Sequence, residues 1–289
     1  MAKFIYISTR GDALSLSDGE NYYLTNIDSQ TAAHASISSV VIGGTDGDTV
    51  NNVQAQPRTI ILDLRIVADV EKTKRKILDV VKLKQRGRLV WEQDERTLEI
   101  QGIVEAIDMP RWSSAVLMQI TLHCEQPFWE NAEYIISKLR EYVDLHYFTD
   151  QPADMLYFPA DGIVLGEYDA TRTQSYYNSG DVAVGLEIEI VALDTVTNPI
   201  IYDQNNNFFG CGYGTGNKQI VMQAGDTIKI NTRKNEKSVT LNGVNILSKI
   251  KPSSSWLQLA AGENQFSINS DDTSISNMSF SLIYKQRYI

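Results

Sequence analysis

Ser238-Val-Thr-Leu-Asn-Gly-Val-Asn-Ile-Leu247 decides how the second half of the chain folds. Two short apolar-containing runs flank Asn242-Gly243, a pair that readily takes the positive φ values of a two-residue hairpin turn. The runs on either side are of the same kind: Gly185-Leu-Glu-Ile-Glu-Ile-Val191, Pro199-Ile-Ile-Tyr202, Gln219-Ile-Val-Met222, Thr227-Ile-Lys-Ile230, Gln265-Phe-Ser-Ile268 and Ser279-Phe-Ser-Leu-Ile-Tyr284. Short strands at this spacing, with no long helical period between them, predict an antiparallel β-sandwich or jelly roll.

The first half mixes strands with one helix. Phe4-Ile-Tyr-Ile7, Thr59 to Ile66, Thr97 to Val104 and Ala115 to Leu122 read as strands. From Asp69 to Arg86, Val70, Ile77, Leu78 and Val81 recur at helical spacing, with Asp69 placed to cap the helix and Gly87 to end it. The chain is therefore mainly β, a β-rich α+β protein. Its 289 residues suit two domains, 1–145 and 146–289, with the junction between 130 and 185. Asn131 to Arg140 fits a strand or a short helix equally well.

Composition excludes several functions. The net charge is −10, with 16 basic and 22 acidic residues up to position 150 and 10 and 14 beyond it. Neither half has the basic balance of a phosphate-binding surface, which argues against tight nucleic-acid binding. No apolar run is long enough to span a membrane, and the start, Met1-Ala-Lys-Phe-Ile-Tyr-Ile-Ser-Thr-Arg10, meets a charge too early for a signal peptide. Cys124 and Cys211 are expected to be reduced core residues.

The patterns that carry chemistry are thin. Gly210-Cys-Gly-Tyr-Gly-Thr-Gly-Asn-Lys218 lacks the Gly-Lys-Ser/Thr step of a phosphate loop and reads as a glycine-rich connection between strands. Gly43 to Asn52 offers Asp46 and Asp48 but no third ligand or distal glutamate for calcium, so it reads as a mobile loop or β-arm. His34, His123 and His146 have no ligand spacing, and His123 and Cys124 point to opposite faces of a strand. The expectation is a protein without catalytic residues, metal or cofactor.

Two residue groups remain as candidates. Lys72, Lys74, Arg75, Lys76, Lys82 and Lys84 form a basic stripe, either a solvated helix face or an electrostatic contact with an acidic surface such as a second copy of this chain. Tyr176, Tyr177 and Trp256, with Phe208, Phe209 and Tyr213 nearby, either belong to the sandwich core or form a sugar-stacking platform.

In order along the chain, Val50-Asn-Asn-Val-Gln-Ala-Gln-Pro-Arg-Thr-Ile-Ile-Leu-Asp-Leu-Arg-Ile66, Gly87-Arg-Leu-Val-Trp91, His123-Cys-Glu-Gln-Pro-Phe-Trp-Glu130, Tyr177-Asn-Ser-Gly-Asp-Val182, Leu259-Ala-Ala-Gly-Glu-Asn-Gln-Phe266 and Ile283-Tyr-Lys-Gln-Arg-Tyr-Ile289 resemble the distal tail proteins of long-tailed phages and prophages of Gram-positive bacteria. The resemblance spans most of the chain. It implies an N-terminal tail-tube-like domain forming a hexameric ring and a C-terminal sandwich similar to galectins or carbohydrate-binding modules. It further implies a non-enzymatic hub in the virion, made in the bacterial cytoplasm. The implied partners are its own copies, the tail tube protein, a tail-tip or baseplate hub protein and a receptor-binding protein. The alternative is an adhesin that contacts cell-wall carbohydrate. Residues 144–185 are longer and more irregular than the family's linker. A ring that passes DNA should have a neutral or acidic lumen, which turns the stripe toward a neighbouring subunit, another ring or solvent.

Overall fold

The structure, a computed structural model, describes residues 3–28, 33–44, 46–94, 96–109, 116–138, 142–144, 166–168, 173–271 and 277–289, with side chains of 142–144 and 166–168 left aside. His146 and much of 144–185 lie outside this set. The chain divides into two compact units, one of Met1–Glu133 with Arg287–Ile289 and one of Tyr134–Gln286.

The first unit contains β1 (Lys3–Ser8), β2 (Ala13–Ser15), β3 (Tyr22–Ile27), β4 (Ala35–Val40), β5 (Thr49–Ala55), β6 (Arg58–Ile66) and α1 (Val70–Val80). It continues with β7 (Arg86–Gln93), β8 (Arg96–Asp108), β9 (Val116–Cys124) and β10 (Trp129–Asn131). Its main sheet runs β2-β1-β7-β8-β9-β6-β3, and every pairing along it is antiparallel. The alternation in β6 explains its place. Ile60, Leu62, Leu64 and Ile66 are buried on one face, and the strand pairs with β9 without slippage from Arg58↔Cys124 to Ile66↔Val116.

The helix is shorter than the sequence reading. It ends at Val80 because Val81 takes an extended conformation and is buried in the core beside Ile77. Lys82 and Lys84 then lie in a turn, and Arg86 already belongs to β7. Asp69 stands at the helix start in a left-handed conformation, φ 44, with no side-chain cap. Gly87 does not end the helix but sits within β7. A Cβ there would come 2.3 Å from the Tyr6 hydroxyl oxygen, so the missing side chain leaves room for that ring.

The second unit begins with β11 (Ile135–Lys138), so four residues of the ambiguous Asn131–Arg140 stretch are strand, while its last two lie outside the described residues. Then follow β12 (Tyr142–Asp144), β13 (Gly166–Tyr168), β14 (Thr173–Asn178), β15 (Val184–Gly185), β16 (Glu187–Ala192), β17 (Val196–Thr197), β18 (Ile200–Asp203), β19 (Phe208–Gly210) and β20 (Val221–Met222). The last are β21 (Thr227–Asn231), β22 (Ser238–Leu241), β23 (Val244–Asn245), β24 (Gln258–Leu259), β25 (Gly262–Asn269) and β26 (Met278–Tyr284). One sheet has the order β11-β26-β16-β21-β22-β23 and another the order β14-β25-β18-β19. Ile188, Ile230 and Leu282 from the first join Ile201, Phe209 and Phe266 from the second in one buried cluster. This is the predicted antiparallel sandwich. Tyr176 meets Phe266 edge-on at 5.9 Å and Phe280 at 6.5 Å, so these rings bridge the two sheets.

The Asn242-Gly243 turn has φ values of 49° and 80°, the mirror-image geometry that suits the right-handed twist of a hairpin. The strand after it is shorter than the sequence reading. Asn245 Oδ1 accepts the Leu247 N–H at 2.8 Å and turns Leu247–Lys249 into a 3₁₀ helix. Finally β27 (Arg287–Tyr288) returns to the first unit and pairs with β10, which pairs with β8 on its other side.

Candidate assembly surface

The feature most in need of a partner is the arm formed by β4 and β5. Among the described residues the two strands pair only with each other, and every residue in both is exposed. Ile37 and Val53 lie directly across from one another, 63% and 60% exposed, and Val40, Val41, Ile42 and Val50 are also open to solvent. A two-stranded ribbon alone is marginally stable in water, and contiguous exposed apolar side chains mark contact surfaces. The sequence reading foresaw an arm or loop near Gly43 to Asn52, but not the apolar residues along it. Ala35-Ser-Ile-Ser-Ser-Val-Val-Ile42 reads as an ordinary strand, and burial alone distinguishes the two. Asp46 and Asp48 stand near its tip, and among the described residues no three His, Cys, Asp or Glu side chains cluster to hold a metal.

The six residues of the basic stripe do not share one helix face. Lys72 and Arg75 are exposed on the side of α1 away from buried Thr73 and Ile77. Lys74 Nζ lies 3.2 Å from Glu71 Oε1. Lys76 Nζ lies 3.7 Å from Asp18 Oδ2 and 5.6 Å from the centre of the Tyr22 ring, so it serves the first unit's own packing. Lys82 and Lys84 project from the turn after the helix, where Lys84 adopts φ 64 and donates its N–H to the Val104 carbonyl at 2.8 Å. Partial burial raises the Asp18 carboxyl. That effect is outweighed by the Asn21 side-chain amide and the N–H groups of Asn21, Tyr22 and Glu20, which together hold it well below the usual carboxylate range.

In the second unit the aromatic candidates separate. Tyr176 is 5% exposed in the core, while Tyr177 points the other way from the same strand and is 68% exposed. Trp256 is partly buried against Phe209 at 5.0 Å, with Lys237 Nζ 5.2 Å from its ring centre. The three do not form one platform, because strand alternation sends adjacent residues to opposite faces. Tyr202 and Phe208, 6.0 Å apart on neighbouring strands, form a surface pair instead, with Lys251 over Phe208.

The glycine loop is architectural. Asn198 is buried, accepts the Ile220 N–H through Oδ1, and donates through Nδ2 to the Gly214 carbonyl and to Asp271. Gly212, at φ 86, passes so close that a Cβ would lie 2.3 Å from Asn198 Oδ1. His123 lies on the opposite face of β9 from buried Cys124, as expected, and His34 is exposed at the base of the arm. Both cysteines are free and buried, and burial pushes each thiol up to about 12, which leaves them unreactive.

Residues 179–288 match the family model described as the siphovirus-type tail component, C-terminal domain. This stretch of the second unit is similar to siphovirus-type tail-component domains. The resemblance read from the sequence is thereby borne out, and the mainly β fold with it. Among solved structures, the Dit protein of phage SPP1 superposes with a TM-score of 0.67 at 11% identity over 99% of both chains. The likeness is one of fold and extends over both units of the chain. The crystal structure of that Dit protein is described as a paradigm of the hub adsorption apparatus in phages infecting Gram-positive bacteria. A chain of the phage P2 baseplate in its activated conformation with calcium aligns over the full length of both chains at 12% identity and a TM-score of 0.46. No curated protein matches.

Proposed function

We propose that this protein is a hub of a phage tail, a ring of six copies that joins the tail tube to the tail tip or baseplate and presents its second domain outward for a receptor-binding protein. The observation that carries the reading is the exposed arm of β4 and β5, apolar at Ile37, Val53, Val40 and Val50, on a chain whose residues 179–288 match the siphovirus-type tail-component model. A hydrophobic ribbon whose strands pair with no third strand among the described residues fits a subunit that completes itself in an assembly, and rotational closure would leave no arm unpaired. The role is structural rather than enzymatic, and its place is the virion. The tube protein and the tip or baseplate proteins contact the two faces of the ring, and DNA passes through it without being bound tightly.

The test is electron microscopy and light scattering of the purified protein beside the Ile37→Asp/Val53→Asp variant. The wild type should form six-fold rings, alone or on tail tubes. The variant should keep its thermal midpoint, because both residues are exposed, and should not assemble. A variant that assembles normally refutes the role given to the arm.

A further inference from the structure

Asn242-Gly243 is the only Asn-Gly step in the chain. In an unfolded peptide such a step is short-lived. The Gly243 nitrogen, with no side chain beside it to hinder approach, attacks Cγ of Asn242 and closes a five-membered imide. The N–C bond forms, the Cγ–Nδ2 bond breaks, and ammonia leaves with the proton given up by the glycine nitrogen. Water then opens the imide at either carbonyl, giving aspartate or isoaspartate and one added negative charge. Water is the only co-reactant.

The folded chain holds the reacting groups apart. Asn242 donates its N–H to the Thr227 carbonyl at 2.9 Å, accepts the Thr227 N–H through Oδ1 at 2.9 Å, and donates from Nδ2 to Asp226 Oδ1 at 2.8 Å. Both ends of the side-chain amide are therefore committed, and Cγ is not free to swing toward the glycine. The left-handed turn at Asn242, φ 49, also points the Gly243 nitrogen away from the side chain, whereas the imide needs the two on one side. Asp226 is anchored in its own turn. The Gln223 N–H, 2.7 Å from its Oδ2, and the Asn242 amide hold the Asp226 carboxyl below its ordinary range, so it is charged at neutral pH.

Opening must precede reaction, and the hairpin stands where opening is easiest. β23 is an edge strand of two exposed residues that pairs with β22 alone among the described residues. The product then alters the contact it came from. Aspartate or isoaspartate at this position replaces the Nδ2 donor with a charged acceptor, so the bond to Asp226 becomes a meeting of two carboxylates. We propose that Asn242 is a deamidation site kept shut by the fold, which reacts only in molecules whose β22–β23 turn has left Thr227 and Asp226, and whose product stops the turn from returning. Each chain thereby carries an irreversible record of opening at this edge of the second unit. The proposal goes beyond the hub role and does not depend on it.

The experiment incubates the full-length protein in mildly alkaline buffer, once folded and once in guanidinium chloride. Conversion at Asn242 is followed by peptide mass spectrometry, with isoaspartyl methyltransferase labelling to detect isoaspartate. The folded chain should react at least about tenfold more slowly, by a factor set by the population of the open hairpin. Asp226→Ala should speed the folded reaction about fivefold by removing one bond of the clamp, and should leave the rate in guanidinium unchanged. Asn242→Asp, the product itself, should lower the thermal midpoint. Asp226→Asn/Asn242→Asp exchanges donor and acceptor and should recover most of that loss, which tests the same bond without deleting it. Equal rates in the folded and unfolded chain overturn the proposal, as does an Asp226→Ala protein that reacts no faster than wild type. An Asn242→Asp midpoint equal to that of the wild type, or an exchanged pair that recovers nothing, also overturns it. Since the arm variants test ring assembly separately, failure here leaves the hub reading standing.

Discussion

Arg287 and Glu130, 157 positions apart, are held together at 2.6 Å, with Nε and Nη2 of the arginine both reaching the same carboxylate oxygen. They sit on the paired strands β27 and β10, and Arg96 stacks over the Tyr288 ring next door at 4.9 Å. The pair therefore fixes the chain's last strand onto the first unit. Arg287→Ala should cost about 1–2 kcal/mol of stability, as for charge-assisted hydrogen bonds of partly buried groups. Urea unfolding of the full chain measures this. In a double-mutant cycle with Glu130→Ala the two losses should be strongly non-additive.

Gly87→Ala should destabilise the first unit by about 1–3 kcal/mol, because the new methyl group would overlap the Tyr6 ring. Gly43→Ala, where a Cβ meets nothing within 4 Å, should have little effect. Thermal unfolding of the two variants side by side checks the contrast.

The Asp18 carboxyl is held below its ordinary range in the folded protein. Its contribution to stability is therefore complete above the unfolded value of about 4 and is lost as pH falls further, toward the depressed folded value. Asp18→Asn should lower stability at neutral pH, and its unfolding midpoint should vary less across the acid range than that of the wild type. Denaturation curves at a series of acid pH values read both effects.

A fragment of residues 134–286 should unfold cooperatively on heating, since it contains both sheets of the sandwich. A fragment starting at 146 removes β11, which pairs with β26 along Ile135↔Tyr284 to Lys138↔Ser281, and uncovers the edge of β26. It should melt at a lower temperature and aggregate more readily. Calorimetry of the two fragments decides.

Lys72 and Arg75, the helix members of the stripe that lack an ion pair among the described residues, should act in assembly and not in folding. Lys72→Glu/Arg75→Glu should preserve the thermal midpoint and slow ring association at low salt, and the difference should shrink as salt rises. Time-resolved light scattering follows the rate. An unchanged rate at low salt would show a merely solvated face.

Much of the fold is written in local pattern. The alternation of β6 and the Asn242-Gly243 turn are each set by residues adjacent in sequence, so period and turn chemistry expose them. The helix end is different: Val81 suits a helix by spacing and leaves it because the core receives its side chain in an extended conformation. The candidate surfaces were harder to read. Ile37 and Val53 look like core residues in sequence, and among the described residues no third strand covers them. Tyr177 could be named but not grouped, since Tyr202 and Phe208 become its sheet-mates through β25, which lies more than sixty positions further along.

The second unit leaves the first after β10 and comes back as β27, and these two strands are hydrogen-bonded neighbours. Its points of departure and return are thus separated by about one strand spacing, roughly 5 Å. Any domain whose ends lie that close can be spliced in at the same place while the pairing of β8, β10 and β27 is preserved. The junction behaves as a socket, into which a different domain can be set without rebuilding the sheet beneath.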